Sequence, residues 1–389
     1  MLITPETFLA LPWVLAPLLH PVLIRRRPRL RDHAAPAAQD APFVSIIVPA
    51  RNEAENIGAC VASLLRARYP RYEIIVVDDR STDGTGAIVR ILAEHHTGRV
   101  RIVEGGALPE GWVGKCWACW QGYREARGEL LLFTDADTRH DRDLLGHAVG
   151  AARTTGANLV TVFPRQRMVG FWECVILPHI FTAILARYND LARMNRTTNP
   201  RNVIANGQFI LFDRQGYEVV GGHEAVRGEI VEDLRLAQLI VSKGHRMYAA
   251  HANDLMETRM YRSFAGIVEG WTKNLAGGAR QSVPRVLRPA VPWLIGLVML
   301  FLWVVPPLAL VAQLPAPRPA PLLASGASLV FWGVAYHRLG VRPTWALIFP
   351  LGAIVTALLF FRSAARGGRV MWKGRMYDTA GAGRGGSAS

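Results

Sequence analysis

The chain has 389 residues, of which 50% are hydrophobic and 19% charged, with a mean hydropathy of +0.16. That length exceeds a single small domain, and 11 Trp, 14 Phe and 9 Tyr supply too much core material for a disordered chain. Four Cys exclude a disulfide scaffold, and a formal charge of +15 calls for a polyanionic partner, either nucleic acid or anionic headgroups and sugar phosphates.

The apolar residues are clumped, which favours the membrane over nucleic acid. From Thr7 to Ile24 the only titratable side chain is His20, and Arg25, Arg26, Arg27, Arg29 and Arg31 come next. The run reads as a retained N-terminal anchor, residues 1–31 with its basic flank, because no A-x-A-like cleavage site precedes Arg25. The arginines place residues 25 to 288 on the cytoplasmic side.

From Pro42 to about Ala250 short apolar runs alternate with helix-length segments. Phe43 to Val48 predicts a buried strand ended by Pro49, and Ala54 to Arg68 a helix with Ile57, Val61, Leu64 and Leu65 on one face. Glu73 to Val77, Val100 to Val103 and Glu129 to Thr134 predict further strands, with a helix around Ala87 to Glu94. The alternation predicts an α/β domain over 42–260 with a mostly parallel sheet. Ligands bind beyond the carboxyl ends of such strands, and the conspicuous polar clusters fall there.

Two of those clusters bear carboxylates. Asp135 and Asp137 follow the strand Leu130 to Phe133, and both can approach one hard divalent cation while a diphosphate supplies further oxygens. The competing reading has Asp137 capping the next helix. Asp78-Asp79 is placed alike one strand earlier, where a carboxylate can accept from a base N–H or a ribose hydroxyl, or again cap a helix. Glu232-Asp233 opens a helix expected to run to Ser242 and stop at Lys243-Gly244.

Val169 to Tyr188 is apolar, broken by Glu173, His179 and Arg187; it is read as a helix on the bilayer surface, with a core helix as the alternative. Residues 261–288 are read as an interfacial segment. Pro289 to Pro317 then carries no charge over 29 residues, where about 20 suffice to cross the hydrocarbon. Pro319 to Tyr336 and Pro343 to Phe361 come after it, so 289–361 predicts two to three spans, and 362–389 a basic tail with Arg362, Arg366, Arg369, Lys373 and Arg375. Three spans would export that tail against the charge rule, so either the rule fails here or one run is re-entrant or lies flat, with the Pro306-Pro307 break and the short run Pro319 to Tyr336 as candidates.

Val44-Ser45-Ile46-Ile47-Val48-Pro49-Ala50-Arg51-Asn52-Glu53, Val76 to Thr85 with its Asp-Asp-Arg-Ser centre, Asp135-Ala136-Asp137 and Glu232-Asp233, in that order, resemble the family 2 glycosyltransferases of GT-A fold. The resemblance implies a nucleotide-sugar donor, Mg2+ or Mn2+, and inversion at the anomeric carbon. It implies that Glu53 and Asp79 hold the uridine, with Pro49 and Ala50 shaping the pocket. The same resemblance puts Asp135 and Asp137 at the metal and donor diphosphate and makes Asp233 the general base. Lys115 reaches a donor phosphate or is a solvated cap, and Glu232 points elsewhere in a supporting place, grouped with Arg262, Trp271 and Lys273 toward diphosphate and acceptor. Pro109 to Lys115 and Trp372-Lys373-Gly374-Arg375 are similar to membrane enzymes associated with hopanoid and carotenoid glycosylation. The Q-x-x-R-W string usual in the family is missing, and Arg262, Trp271 and Lys273 are taken as its replacement. Cys116 and Cys119 lack the partners of a zinc site.

The function expected is therefore transfer of sugar from a nucleotide diphosphate donor, UDP-linked, to a membrane lipid hydroxyl. A polyprenyl-phosphate acceptor and a non-catalytic scaffold are the alternatives. The expected location is the inner (cytoplasmic) membrane, multi-pass, with no nucleic-acid partner.

Overall fold

The computed structural model describes residues 10–18, 28–188, 190–366, 369–372 and 375–378. They divide into two compact units.

The first unit comprises Arg27–Gln166, Leu191–Met260 and the C-terminal stretch from Gly368. Its centre is an eight-stranded sheet of β1 (Val44–Ala50), β2 (Tyr72–Asp78), β3 (Val100–Glu104), β4 (Leu130–Thr134), β5 (Thr138–His140), β6 (Leu159–Gln166), β7 (Phe209–Asp213) and β8 (Met247–Thr258). The order is β3-β2-β1-β4-β7-β6-β8-β5. The first four strands are mutually parallel, but β7 runs antiparallel to both β4 and β6, and β5 is antiparallel to β8. The sheet is thus mixed rather than mostly parallel.

Both of its faces are covered, which explains the unbroken apolar runs. Ile46, Val48, Ile74, Val76 and Leu132 enter one core cluster; the alternate residues Ile47, Ile75, Val77, Leu131 and Phe133 enter the other. Each fully buried side chain of this size stabilises by roughly 1.5–3 kcal/mol. β1 continues through Pro49 to Ala50, past the expected stop. Pro49 lies beyond the last residue that β1 pairs with β4, where a missing N–H costs least. The helix after β1 is shorter than expected, Ile57–Leu65, because residues 52–56 form the turn that leaves the strand. The helix Glu232–Ser242 has the expected bounds and is succeeded by Gly244 at φ 79°, a left-handed position that glycine adopts without strain.

The second unit comprises Met1–Arg26, Arg167–Asp190 and Tyr261–Gly367. Among its described residues three segments are long and apolar enough to cross a membrane: Val291–Ala312, Pro319–Arg338 and Pro343–Ala365. The first is broken into helices Val291–Trp303 and Val305–Ala312, just before Pro306-Pro307. Leu294, Leu297, Val298, Phe301, Leu308 and Val311 are exposed along it, as lipid-facing residues are. The described helix in the N-terminal apolar run is Leu11–Leu18, about 12 Å long at 1.5 Å per residue, which is short of a crossing. Residues 1–9 and 19–27 of the expected anchor lie outside the described residues, so no N-terminal span is evidenced.

The stretch expected at the bilayer surface is the helix Phe171–Arg187, and the residues from Glu173 to Ile180 are all buried. His179 stacks on Trp332 with ring centroids 3.8 Å apart, and Gly352 lies directly against Val175 and His179. This is the core-helix alternative. Helix Phe264–Gln281 is tied to Phe349–Ala365 through Ser363, whose hydroxyl donates to the Thr272 carbonyl at 2.5 Å and accepts from the Ala276 amide at 2.9 Å.

Candidate active site

The carboxyl edge of the parallel strands carries the site, and two loops are laced together there. The residues just past β1 and β2, Asn52 and Arg80, both take left-handed backbone (φ 51° and 57°), which is rare outside glycine and concentrates at functional sites. Hydrogen bonds hold them in place. Thr82 N–H donates to Asn52 Oδ1 at 2.9 Å, Asn52 N–H to Ser81 Oγ at 3.0 Å, and Arg51 Nη1 to the Asp79 carbonyl at 2.6 Å.

Asp79, expected at the uridine, is 2% exposed, and its amide donates to the Ala50 carbonyl at 2.8 Å. Glu53 is half-buried in the adjoining loop, its Oε2 accepting from Asn56 Nδ2 at 2.9 Å and its amide donating to Thr85 Oγ1 at 2.8 Å. Pro49 and Ala50 end strand β1.

Under Asp135-Ala136-Asp137 lies a buried hydroxyl and imidazole platform that sequence reasoning missed. Thr138 Oγ1 donates to the Asp135 carbonyl at 2.7 Å and lies 2.9 Å from His140 Nε2, with Thr134 Oγ1 3.1 Å from the same nitrogen. Burial, helped by Arg139, pushes the His140 pKa down to about 3, so the ring is neutral. Thr134 Oγ1 also donates to the Gln208 carbonyl at 2.7 Å, tying the end of β4 to the turn 206–208.

That turn meets the expected base. Gly207 N–H donates to Asp233 Oδ2 at 2.8 Å, while Leu234 N–H donates to Oδ1 at 2.7 Å. Burial, then the adjacent Glu232 charge, raise the Asp233 carboxyl to about 6, with Lys115 and the two amides pulling the other way. Glu232 does not point away from the site as expected. Its Oε1 lies 2.8 Å from Lys115 Nζ, and the same nitrogen lies 2.8 Å from Asp135 Oδ1. Lys115 is thus neither a solvated cap nor directed at open space; burial opposes its charge, but Asp135 and Glu232 hold it well above the ordinary lysine value.

The structure therefore brings Lys115, Asp135, Glu232 and Asp233 into one cluster. Arg262, Trp271 and Lys273 belong to the helical unit. There Arg262 is exposed and Lys273 half-buried, while Trp271 is buried against Phe181 and Tyr261, at 6.0 and 6.4 Å between ring centroids. In the Trp372 to Arg375 string, Lys373-Gly374 lies outside the described residues.

Asp135 and Asp137 offer hard oxygens suited to Mg2+ or Mn2+. No group of three or more His, Cys, Asp or Glu side chains converges among the described residues. The donor set fits an ion that completes its shell from a diphosphate, rather than one caged by protein alone.

Residues 45–221 match glycosyl transferase family 2. The 4,4'-diaponeurosporenoate glycosyltransferase of Staphylococcus aureus strain MRSA252 is 28% identical over 257 residues, covering 65% of this chain and 66% of that protein. The enzyme of strain USA300 matches to the same extent. The alignment thus spans just under two thirds of the length of these curated relatives. Mannosyltransferase PcManGT from Pyrobaculum calidifontis, solved with GDP-Man and Mn2+, shares the fold with a TM-score of 0.59 at 24% identity, over 93% of this chain and 97% of that one. These likenesses define the class: a GT-A-like mixed sheet joined in one chain to candidate membrane helices. In its family match and in these relatives the chain is similar to family 2 glycosyltransferases.

Proposed function

We propose that the protein is a multi-pass enzyme of the inner (cytoplasmic) membrane, its sheet domain cytoplasmic. It moves a sugar with inversion from a nucleotide diphosphate donor, UDP-linked, to the hydroxyl of a membrane lipid of carotenoid or hopanoid type. The observation that carries this reading is the meeting of Asp135, Glu232 and Lys115 with Asp233 at the carboxyl edge of the sheet. The relatives named as diaponeurosporenoate glycosyltransferases support a lipid-like acceptor.

The chemistry needs two functions from the chain. A hydroxyl attacks the anomeric carbon effectively when a positioned carboxylate takes its proton, a contribution of roughly 10²–10⁴-fold. Asp233 suits that role, since both its oxygens are aimed by backbone amides and its raised pKa makes it a stronger base than an exposed aspartate. Glu53 and Asp79 hold the nucleoside at the end of β1 and β2, with Pro49 and Ala50 beneath. Asp135 and Asp137 would hold the divalent ion, which when bound supplies charge neutralisation to the departing diphosphate. Arg262, Trp271 and Lys273 are assigned to acceptor and diphosphate in place of the missing motif.

The test uses membranes from cells expressing the full chain, supplied with radiolabelled UDP-glucose or GDP-mannose and lipid extract. An organic-soluble, acid-stable product that requires Mg2+ or Mn2+ and vanishes in Asp233→Asn and Asp137→Ala is expected. Transfer retained in Asp233→Asn would assign an acceptor that is already ionised and needs no base, a phosphate where the product is acid-labile and a carboxylate where it is an alkali-labile ester. A wild-type protein that labels no lipid from either donor would sink the proposal.

A further inference from the structure

Lys115 is the side chain whose surroundings say more than its assigned role. It stands at the start of the helix Gly114–Glu125 and points into carboxylates, 21% exposed, between the more open Asp135 and the nearly buried Glu232. Its mount is rigid. Val113 N–H donates to the Arg227 carbonyl at 2.7 Å, and Cys116 Sγ lies 3.5 and 3.6 Å from the carbonyls of Val226 and Glu229. The first turn of this helix is therefore fastened to the loop that leads into Glu232-Asp233. A Cβ built on Gly207 would come within 3.0 Å of both Lys115 Nζ and Asp233 Oδ2, so the ammonium also borders the base.

An ammonium and a divalent cation compete for the same carboxylate. Each is attracted to Asp135, and they repel one another unless an anion stands between them. In this cluster the ammonium already holds Asp135. The donor's diphosphate is the anion able to separate the two cations, since it bears charge for both.

We propose that Lys115 is a positioning residue that occupies Asp135 in the donor-free enzyme and yields it when cation and diphosphate arrive together, remaining anchored on Glu232. The inference rests on the reading of Asp135 and Asp137 as the metal site. Its consequence is ordered loading: the ion alone binds poorly, and the nucleotide diphosphate raises its affinity by relieving the repulsion. Lys115 thereby couples two binding events and suppresses an enzyme loaded with metal only.

The test measures Mn2+ binding to the detergent-solubilised full chain by the paramagnetic resonance signal of free Mn2+, with and without UDP. Lys115→Met is expected to bind Mn2+ alone about tenfold more tightly than wild type and to gain less from UDP, while its KM for the donor rises about tenfold. Lys115→Arg, which keeps the charge, should restore wild-type values. A merely structural lysine would lower both affinities on removal. Lys115→Gln is read in the same way should the Met variant fail to fold. If Asp137→Ala abolishes Mn2+ binding yet neither neutral variant binds the ion more tightly, the competition is overturned and the metal site survives. If wild type binds no Mn2+ even with UDP, the metal-site reading fails, and this inference with it.

Discussion

The amide of Gly207 donates to Asp233 Oδ2 at 2.8 Å, and the Cα of Gly207 has no room to carry a side chain without touching both that carboxylate and Lys115. A turn between β6 and β7 thus aims the proposed base, which lies 26 residues further along the chain. Gly207→Ala places a Cβ 3.0 Å from Asp233 Oδ2 and from Lys115 Nζ. The lysine tip can swing aside, whereas the carboxylate is held by its own two amides and must tilt. Misplacement on that scale costs on the order of 10–100-fold in rate. The expected result is such a loss in kcat with a melting temperature near wild type, read from initial rates and thermal melts of solubilised protein. Unchanged kcat would mean that the aim of Asp233 is irrelevant to turnover.

The pH profile depends on the same carboxylate. Burial, then the adjacent Glu232, raise Asp233 to about 6, and a base must be ionised to act. Activity is therefore expected to rise tenfold per pH unit below about 6 and to level off above it. Glu232→Gln removes a charge that disfavours ionisation and leaves Lys115 less neutralised, so both effects move the inflexion downward. Profiles of kcat/KM for the two proteins decide the matter; coincident inflexions would take Asp233 out of the titration.

Stability carries the opposite sign. The folded-state pKa lies above the ordinary aspartate value of 3.8, so the native state binds this proton more tightly than the unfolded chain does. Below about 4 both states are protonated and the group is neutral to folding; between about 4 and 6 native stability falls as pH rises, and above about 6 the full cost remains. Asp233→Asn removes that cost. Relative to wild type the variant should gain about 1–3 kcal/mol between pH 4 and pH 8, on top of a pH-independent loss, because its amide NH2 faces one of the two backbone N–H groups that Asp233 accepts from. Melting curves across that range test it, and a gap independent of pH would contradict the linkage.

The parallel half of the sheet was legible because β1, β2 and β4 are short runs of large apolar residues ending in polar clusters, a pattern set by burial on both faces. The same burial hid the antiparallel half: a strand covered on both faces reads alike whichever way it runs, so nothing in Phe209–Asp213 declares its direction. Asp135, Asp137 and Asp233 stood out as carboxylates at element ends. Glu232 was misjudged because adjacent side chains diverge along a helix, yet in the first turn both can reach past its end, one to Lys115 and one to Gly207. The role of Gly207 depends on a residue brought alongside by the fold, and local pattern does not contain that.

The helical unit offers a sharper case of what composition leaves open. The stretch Val169 to Tyr188 is apolar enough for a bilayer surface or a packed core, and the residue that decides between them lies far away in sequence. A Cβ added to Gly352 would fall on the Val175 carbonyl and the His179 ring, well inside contact distance. That ring cannot retreat, because it stacks on Trp332 at 3.8 Å and its Nδ1 lies 3.1 Å from the Val175 carbonyl. Close approach of helices at small residues is how apolar segments associate without a hydrophobic driving force. Gly352→Ala should therefore destabilise the solubilised protein by about 1–3 kcal/mol through overpacking. Gly326→Ala and Gly333→Ala in the helix Pro319–Arg338 meet nothing within 4 Å and serve as controls. Those two should be neutral or stabilising by up to about 1 kcal/mol, since alanine is the better helix former. If melting in detergent ranked all three variants alike, the helix Phe171–Arg187 would not be packed on Gly352, and the surface-lying alternative would regain its ground.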